Sequence, residues 1–499
     1  MLSTLLAALA GHVALTGGYA IQKRATTPAA YASNSNGSYA LTSIAAPVQG
    51  AGSPGSESTW QLSVDDTSSG YKQTITGFGA AVTDATVTSF NTLSSANLSQ
   101  LLNVLMTSTG ADFSLMRHTI GSSDLSGDPV YTYDDNGGAV DTSMSGFNIG
   151  DRGTAMAEML ATMKSLQPNL KVLGSSWSPP AWMKLNNRLD KSTKNTTLGQ
   201  SITNNTLDDG HSGTGVGSAG YSSEFAQYFV KYIQAYTALG ANIDAITIQN
   251  EPLNSQSGYP TMYMLDSEQG SLIQSYVGPA LASAGLKTAI WAYDDNTDVP
   301  SFPQNVLDTA SQYVNTVAWH CYASSNDWSV LTNFKNKNPN VTQYMTECWT
   351  PPSGKWYHSS NFTMGPLQNW ASGVMAWTLG TNSSYGPHLS EGGCHTCQGL
   401  VTVNDDGTYT LQLAYYLMAQ YSKFIPPGAI ILNGSGSHTR SGVGGIQSVA
   451  SLNPDGTRTV VIQNTLSSDV YVNVTTTSGQ EWSGIVPTQS VVTWLLPAV

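Results

Sequence analysis

Short apolar runs alternate with amphipathic stretches along the chain from residue 74 to about residue 425. The runs are rich in β-branched residues and end on polar ones, whereas the stretches between them carry apolar residues at helical spacing. Such alternation is typical of βαβ units that build a parallel sheet. Eight runs are predicted strands, and eight is the number that closes a (β/α)8 barrel. They span residues 75–82, 113–120, 171–177, 245–251, 288–293, 317–322, 342–347 and 374–379.

The rest of the pattern completes the fold prediction. Helical spacing predicts helices over 97–107, 154–166, 223–239, 267–284, 303–313 and 411–421, and two polar insertions occupy 122–149 and 186–220. Short alternating strands follow at 429–432, 446–450, 459–463, 470–474 and 491–496, and one more, 59–64, precedes the barrel. We therefore predict an α/β protein: a TIM barrel over 71–425, with an attached β-sandwich formed by 426–499 and the N-terminal strands of 25–70.

The N-terminus has the features of a secretory leader. Residues 1–20 contain an apolar run and end in small residues, which predicts a signal peptide, and Lys23-Arg24 closes a possible propeptide over 21–24. No other apolar run approaches the roughly 18 residues that a membrane span needs. Nine Asn-x-Ser/Thr sequons agree with secretion. We expect an extracellular protein that acts as a monomer away from membranes.

Charge and cysteine content narrow the possible partners. Only 10% of the residues are charged, the formal net charge is −13, and the 19 Lys and Arg residues form no cluster, which argues against nucleic acid as a partner.

Four cysteines in a secreted chain favour disulfides. Cys394 and Cys397 are placed to pin a Gly-rich turn, whereas Cys321 and Cys348 either form a bridge or remain buried thiols. Cys394-x-x-Cys397 lacks the second ligand pair of a zinc site, so no metal is expected.

Polar residues concentrate where the predicted strands end. Because catalytic residues of barrel enzymes lie at the carboxyl ends of the strands, this recurrence predicts an active site there. The residues concerned are Arg117, Trp177, Asn250, Glu251, Tyr293, His320, Tyr322, Glu347 and Trp377. Among them, Glu251 and Glu347 each follow an apolar run and are predicted to lie on the same rim. A pair of carboxyl groups on one rim suits glycoside hydrolysis.

Charge determines the roles we expect for the two glutamates. Cleavage of an acetal needs one protonated carboxyl and one ionised carboxylate. Arg117 beside Glu347 would keep that carboxylate ionised, whereas the neutral Asn250 leaves the pKa of Glu251 free to be raised by the charge of its neighbour. Glu251 is therefore the expected acid/base and Glu347 the expected nucleophile.

Four aromatic residues at the rim offer faces and hydroxyl groups for a sugar ring, although aromatic residues more often belong to a core. They are Trp177, Tyr293, Tyr322 and Trp377.

Several motifs make the chain resemble glycoside hydrolase family 30, and within it the fungal endo-β-1,6-glucanases. They are Asn250-Glu251-Pro252, Thr346-Glu347-Cys348-Trp349, the run from Ser178 to Lys184, the run from Arg117 to Ser126, the run from Tyr131 to Gly138, Trp319-His320-Cys321-Tyr322 and the run from Gly365 to Trp370. Two positions depart from the family: Ser176 stands where relatives tend to have Pro, and Asp295 stands where we expect His.

The resemblance implies a barrel with a β-sandwich, a retaining mechanism without cofactor or metal, and the same roles for Glu251 and Glu347. It also implies that positions lining the sugar site in the glucosylceramidase branch are matched here by Asp124, Trp177, Asn250, His320 and Trp377. The expected function is secreted endo-β-1,6-glucanase activity on a β-1,6-linked polysaccharide. Endo-β-1,6-galactanase or another family 30 activity is the alternative. A non-catalytic carbohydrate-binding protein is disfavoured because both glutamates are present.

Overall fold

The computed structural model describes residues 27–190, 205–209, 220–324, 327–436 and 444–498. The predicted signal peptide and propeptide lie outside the described residues, as does most of the insertion over 186–220. None of the helices described is long and apolar enough to cross a membrane.

Five strands precede the barrel. They are β1 (Ala29–Asn34), β2 (Thr42–Ile44), β3 (Val48–Gln49), β4 (Ser58–Asp65) and β5 (Tyr71–Thr74). Only the middle of β4 was predicted. The others are short, and their alternation is weak because Ser, Thr and Ala occupy many of their positions.

Eight parallel strands then close into a barrel, as predicted. They are β6 (Gly77–Val82), β7 (Leu115–Ile120), β8 (Lys171–Ser176), β9 (Ala245–Thr247), β10 (Ala289–Asn296), β11 (Val314–His320), β12 (Thr342–Glu347) and β13 (Ala371–Ala376). The ring closes where β13 pairs with β6 in parallel. Strand β12 has the predicted bounds, whereas β9 ends at Thr247, so Glu251 lies in the loop that follows.

An apolar layer fills the lower half of the barrel interior. It consists of Leu115, Leu173, Ala245, Trp291, Ala318, Tyr344 and Met375, one residue from each of the strands β7 to β13. Trp291 and Tyr344 stack with ring centroids 4.1 Å apart. Two residues further along β7 and β8, the inward positions are Arg117 and Ser175. The interior therefore changes from apolar to polar directly below the carboxyl ends of the strands.

Ten α-helices are found among the described residues. They are α1 (Asp84–Phe90), α2 (Ser95–Met106), α3 (Gly150–Leu166), α4 (Ser222–Ala238), α5 (Asp266–Leu272), α6 (Gly278–Ser283), α7 (Ser301–Ala310), α8 (Ser329–Lys337), α9 (His358–Gln368) and α10 (Leu413–Ser422). A π-helical turn, Ile273–Val277, interrupts the helix predicted over 267–284. The pattern missed α1, α8 and α9: α1 is rich in β-branched residues of low helix propensity, and α9 contains Pro366.

The sandwich combines both ends of the chain, which confirms the predicted fold class. A small sheet, β14 (Gly380–Asn382), β15 (Val401–Val403) and β16 (Tyr409–Leu411), comes first. The sandwich strands are β17 (Ile430–Gly436), β18 (Ile446–Leu452), β19 (Arg458–Asn464), β20 (Val470–Thr476), β21 (Glu481–Val486) and β22 (Ser490–Leu496). Strand β1 pairs with β22, and β4 lies between β17 and β20. The sequence pattern missed β21.

Candidate active site

A cleft of about 460 Å³ opens at the carboxyl ends of the barrel strands. Seven of the predicted site residues line it: Asp124, Trp177, Asn250, Glu251, Tyr322, Glu347 and Trp377. Its other lining residues are Asn254, Tyr259, Asn296, Trp349, Cys394, Thr396 and Cys397. The lining therefore combines aromatic faces with a few polar groups, as in most ligand-binding clefts.

Glu251 and Glu347 face each other in this cleft. Glu347 is the last residue of β12, whereas Glu251 has a left-handed backbone (φ 46°) held by a hydrogen bond from its N–H to the carbonyl oxygen of Asp294 (2.9 Å). One oxygen of each carboxyl group and one ring nitrogen of His320 lie within 4.8 Å of one another. Retaining glycosidases separate their two carboxyl groups by about 5–5.5 Å and inverting ones by about 6.5–9.5 Å. The spacing suits direct attack by a carboxylate.

Two donors orient Glu347. Arg117 Nη1 donates to its Oε2 at 2.6 Å, and the Tyr322 hydroxyl donates to its Oε1 at 2.9 Å. Burial, together with the charges of Glu251 and Asp294, outweighs the charges of His320 and Arg117 and raises the pKa of Glu347 above its usual value. With both oxygens occupied by donors, the carboxylate is fixed in place.

Arg117 lies beneath the cleft and is fully buried. Its Nη2 donates to Asn250 Oδ1 at 2.6 Å and to Asp294 Oδ2 at 2.8 Å. The guanidinium therefore bridges Glu347, Asn250 and Asp294, with its carbon 4.8 Å from the ring centroid of Trp177. The ion pair with Glu347 was predicted; Arg117 was also predicted to bind substrate, and its buried side chain lies below the cleft surface.

Asp294 is the hub of the network below the cleft, and the sequence analysis did not single it out. Its Oδ1 accepts hydrogen bonds from His320 and Thr346, and its Oδ2 accepts from Arg117, Ser175 and Thr247. Burial raises its pKa, but Arg117, His320 and the hydroxyl donors outweigh that effect and hold the pKa of Asp294 well below its usual range. Asp294 thus stays ionised and keeps the cations Arg117 and His320 in position.

His320 connects Asp294 to Glu251. Its Nε2 lies 3.1 Å from Asp294 Oδ1 and its Nδ1 lies 3.2 Å from Glu251 Oε1. Burial lowers the pKa of His320, but Glu347, Asp294 and Glu251 together raise it to about 10. His320 was predicted to bind substrate, yet it is fully buried and touches the acid/base candidate instead.

The environment of Glu251 differs from the expected one. Burial raises its pKa, but the hydrogen bond and charge of His320, and a 2.7 Å hydrogen bond from Asn254, lower it below the usual value. We expected a raised pKa for Glu251, because nothing in the sequence pattern indicates that a cationic imidazole faces this carboxyl group. The two shifts together favour a protonated His320 facing an ionised Glu251 across the 3.2 Å between Nδ1 and Oε1.

A metal ion is disfavoured between Glu251, His320 and Glu347. These three residues bring potential ligand atoms within 4.8 Å of one another. However, Arg117 already forms an ion pair with Glu347 at 2.6 Å, and the protonated His320 faces Glu251. Both carboxylates therefore have cationic partners, and a metal ion would have to displace a proton from His320.

Two tryptophans and an aspartic acid form one wall of the cleft. Trp177 and Trp377 stack with centroids 5.3 Å apart and planes inclined by 29°. Burial, together with the charges of Glu347 and Glu251, raises the pKa of Asp124 to about 8. At mildly acidic pH Asp124 is therefore protonated, and its carboxyl group can both donate to and accept from a sugar hydroxyl.

Tyr293 does not line the cleft, contrary to prediction. Strict alternation from Trp291 would direct its side chain into the barrel. However, Tyr293 and Asp294 both have positive φ (78° and 71°), and the pairing register shifts between Tyr293 and Asp295. This irregularity turns the Tyr293 ring outward onto Phe302, 4.9 Å away, and turns Asp294 inward.

Two disulfides border the cleft. Cys321–Cys348 joins the residues that follow His320 and Glu347, and Cys394–Cys397 lies in the cleft wall. The sequence analysis left the state of Cys321 and Cys348 open. Their positions after two neighbouring strands were the available signal.

Comparisons with known proteins agree with this geometry. The glycosyl hydrolase family 30 TIM-barrel domain matches residues 75–425, and the family 30 β-sandwich domain matches residues 430–494. The chain is 72% identical over 478 residues to an endo-1,6-β-D-glucanase of Aspergillus fumigatus, covering 96% of both chains. It is 64% identical over 500 residues to an endo-1,6-β-D-glucanase of Trichoderma harzianum, covering 100% of this chain and 99% of the relative. A solved endo-β1,6-glucanase superimposes with a TM-score of 0.77 at 27% identity, covering 95% of this chain and 99% of that one.

Proposed function

Because this chain belongs to glycoside hydrolase family 30, we propose that it cleaves internal bonds of β-1,6-linked glucan by double displacement. The observation that carries the proposal is the pair Glu251 and Glu347: one carboxylate oxygen of each lies within 4.8 Å of the other, in a cleft lined by aromatic side chains. The β-1,6-glucan linkage is supported by the two fungal relatives, which are endo-1,6-β-D-glucanases and match almost the whole chain. An open cleft of this kind admits the middle of a polysaccharide chain.

In the first step, Glu347 attacks the anomeric carbon. The bond from that carbon to the glycosidic oxygen breaks, and the oxygen takes a proton from Glu251. A glycosyl ester on Glu347 and a shortened glucan result. Arg117 and Tyr322, which hold the two oxygens of Glu347, aim the carboxylate and stabilise it before attack.

In the second step, Glu251 is a base. It removes a proton from water, the water oxygen attacks the anomeric carbon, and the ester to Glu347 breaks. Two inversions at one carbon leave the product with the β configuration of the substrate.

His320 stores the proton that Glu251 delivers. A substrate oxygen next to Glu251 favours the state in which the shared proton has moved from His320 Nδ1 to the carboxyl group. Asp294, bound to the other ring nitrogen, stays ionised in both states. The competent enzyme thus needs one proton on the pair His320 and Glu251, whichever atom carries it at rest.

The proposed site of action is extracellular, and the proposed active unit is the monomer. The leader over 1–24 and the sequons support secretion. Every side chain in the proposed site comes from one chain.

A comparison of two polysaccharides tests the activity. The purified protein is incubated with pustulan, a β-1,6-glucan, and in parallel with de-arabinosylated arabinogalactan, which offers β-1,6-linked galactose. We expect oligosaccharides of mixed length from pustulan at early times, with the new reducing ends initially β by NMR. Release of oligosaccharides from the galactan alone would make the chain a galactanase, and initially α ends would exclude double displacement.

A further inference from the structure

Asp134 is a buried carboxylate that no hydrogen-bond donor satisfies. It lies in the insertion between β7 and α3, in the run from Tyr131 to Gly138 that plays no part in the proposed catalysis. The residue is 1% exposed, and neither side-chain oxygen has a hydrogen-bond partner. An ionised carboxylate in such a place is strongly destabilising unless a positive charge lies against it.

Three side-chain oxygens converge beside Gly146. The position of a β-carbon at residue 146 lies 3.1 Å from Asn136 Oδ1, 3.2 Å from Asp134 Oδ1 and 3.2 Å from Asp141 Oδ2. Only glycine leaves this space open. The oxygens therefore surround one small volume, and the unsatisfied carboxylate of Asp134 is directed into it.

Hydrogen bonds position the two side chains, Asp141 and Asn136, that carry the other two oxygens. Asp141 accepts hydrogen bonds from Ser143 (2.7 Å) and from the Gly146 N–H (2.6 Å), which fix its carboxylate and keep it ionised. The Asn136 amide nitrogen donates to the carbonyl oxygen of Ala139 at 3.2 Å, which leaves its Oδ1 facing Gly146. Carboxylate oxygens have spare lone pairs, so Asp141 can still bind a cation.

No side chain of the described residues supplies the missing charge through a hydrogen bond or an ion pair. Lys231 is no exception, because neither side-chain oxygen of Asp134 has a hydrogen-bond partner. The Lys231 ammonium lies 5.8 Å from the ring centroid of Phe147. Asp135 is already engaged, since both its oxygens accept hydrogen bonds from Thr132.

We propose that Asp134, Asn136 and Asp141 bind a Ca²⁺ ion. All three donors are oxygens and two are carboxylates, a set that suits a hard cation and not Zn²⁺, which prefers nitrogen and sulfur. Ca²⁺ takes 6–8 oxygen ligands, so water would complete the shell around the three side-chain oxygens. The adjacent Tyr133 forms a hydrogen bond through its hydroxyl to that of Tyr236 on α4 (2.6 Å), and the ion would further fasten the insertion, which contains the cleft residue Asp124.

Calorimetric titration of the whole purified protein tests the site. The protein is stripped with EGTA, dialysed and titrated with CaCl2, and its thermal unfolding is followed with and without the ion. We expect one equivalent of bound Ca²⁺ and a Tm higher by at least about 2 °C at saturation. No binding heat together with an unchanged Tm would overturn the proposal, and an equal Tm rise with the same concentration of MgCl2 would overturn the choice of Ca²⁺.

Three variants locate the ion. Asp134→Asn keeps the shape of the side chain and should abolish both the binding heat and the Tm rise. Gly146→Ala should do the same by placing a methyl group among the three oxygens. The matched control is Asp135→Asn, which removes the same charge from the neighbouring residue and should bind Ca²⁺ as the wild type does. Binding retained in Asp134→Asn, or lost equally in Asp135→Asn, would contradict the site. Activity is not the readout, so failure here is independent of the glucanase proposal.

Discussion

Asp294 and Asp134 are both buried carboxylates, but their surroundings differ completely. Asp294 accepts five hydrogen bonds, two of them from the cationic side chains Arg117 and His320. Asp134 accepts none. A buried carboxylate whose donors come from the chain has a fixed charge and a fixed place, so it can position other groups. One without donors depends on a charge from outside the chain.

The network around Asp294 also explains how two adjacent glutamates take different roles. Glu347 is held by Arg117 and Tyr322, whose protons stay in place at the pH of catalysis. Glu251 is held by His320, whose proton can move along the hydrogen bond. The proposed nucleophile is thus held by permanent donors, and the proposed acid/base by a donor that can give its proton away.

Removing the nucleophile should have the largest effect. Glu347→Gln is expected to lower kcat on pustulan by at least about a thousandfold, because no other group can form the glycosyl ester. The fold should change little, since the amide oxygen still accepts a hydrogen bond from Arg117 and the amide nitrogen can donate to the Tyr322 hydroxyl oxygen. Steady-state rates and a thermal melt measure the two quantities. Glu158→Gln on α3, which is exposed, is the matched control.

Small anions give an independent check of the same residue. Azide should partly restore turnover in Glu347→Ala by attacking the anomeric carbon from the vacated side, and it should yield an α-glycosyl azide. A Glu347→Gln preparation free of deamidated protein that retained wild-type turnover would remove Glu347 from the mechanism.

The next largest effects should separate the two aspartates directly. Asp294→Asn breaks the buried ion pair with Arg117 and is expected to cost about 3–5 kcal/mol of unfolding free energy, with kcat reduced about a hundredfold as Glu347 and His320 lose their alignment. Asp134→Asn, measured in EGTA, should instead raise stability by about 1 kcal/mol because it removes an unbalanced buried charge. Denaturant unfolding of both variants gives the comparison. An equal loss of unfolding free energy in the two variants would mean that donors within the chain stabilise both carboxylates.

Replacing His320 by Asn should narrow the pH profile of kcat/KM. In the wild type the pair His320 and Glu251 keeps its shared proton up to high pH, because the pKa of His320 is raised to about 10. Without the imidazole, Glu251 alone must hold that proton, so the alkaline limb should move to lower pH. The pKa of Glu347 should rise once the nearby cation is lost, which moves the acid limb to higher pH. Unchanged limbs would exclude His320 from proton storage.

The sequence predicted the parts of the site that follow from regular alternation. The run ending at Glu347 is an unbroken strand, and the observed strand has the predicted bounds. Glu251 was predicted to lie on the correct rim, although the strand before it ends at Thr247 and not at residue 251. The loop that follows this strand begins at the same end of the barrel, so the error in strand length does not move Glu251 to the other end.

The rest depended on backbone conformations that periodicity does not encode. Positive φ at Tyr293 and Asp294 exchanges the directions in which their side chains point. The aromatic residue expected in the cleft therefore lies in the core, and an aspartate to which the sequence analysis assigned no role is the hub of the network. The sequence also did not indicate how deep Arg117 and His320 lie below the cleft. A strand pattern shows which face of the sheet a side chain occupies but not how far below the rim it lies. The oxygens around Gly146 converge only through the fold of the insertion.

The smallest effect is expected from the Cys394–Cys397 disulfide. It closes a short loop, for which the chain-entropy contribution is about 2 kcal/mol, so the double variant Cys394→Ser with Cys397→Ser should still fold. Two residues before this loop, Gly392 packs against Gly258, a contact with no space for a side chain on either residue. Removing the disulfide should raise KM for pustulan several-fold and leave kcat nearly unchanged, because the disulfide shapes the cleft wall and does not contact the donors that hold either glutamate.

The corresponding double variant of Cys321 and Cys348 provides the contrast. That disulfide directly follows His320 and Glu347 in the chain, so its loss should lower kcat. A fall in kcat at constant KM for the Cys394 and Cys397 variant would show that the wall acts on the chemistry and not on binding.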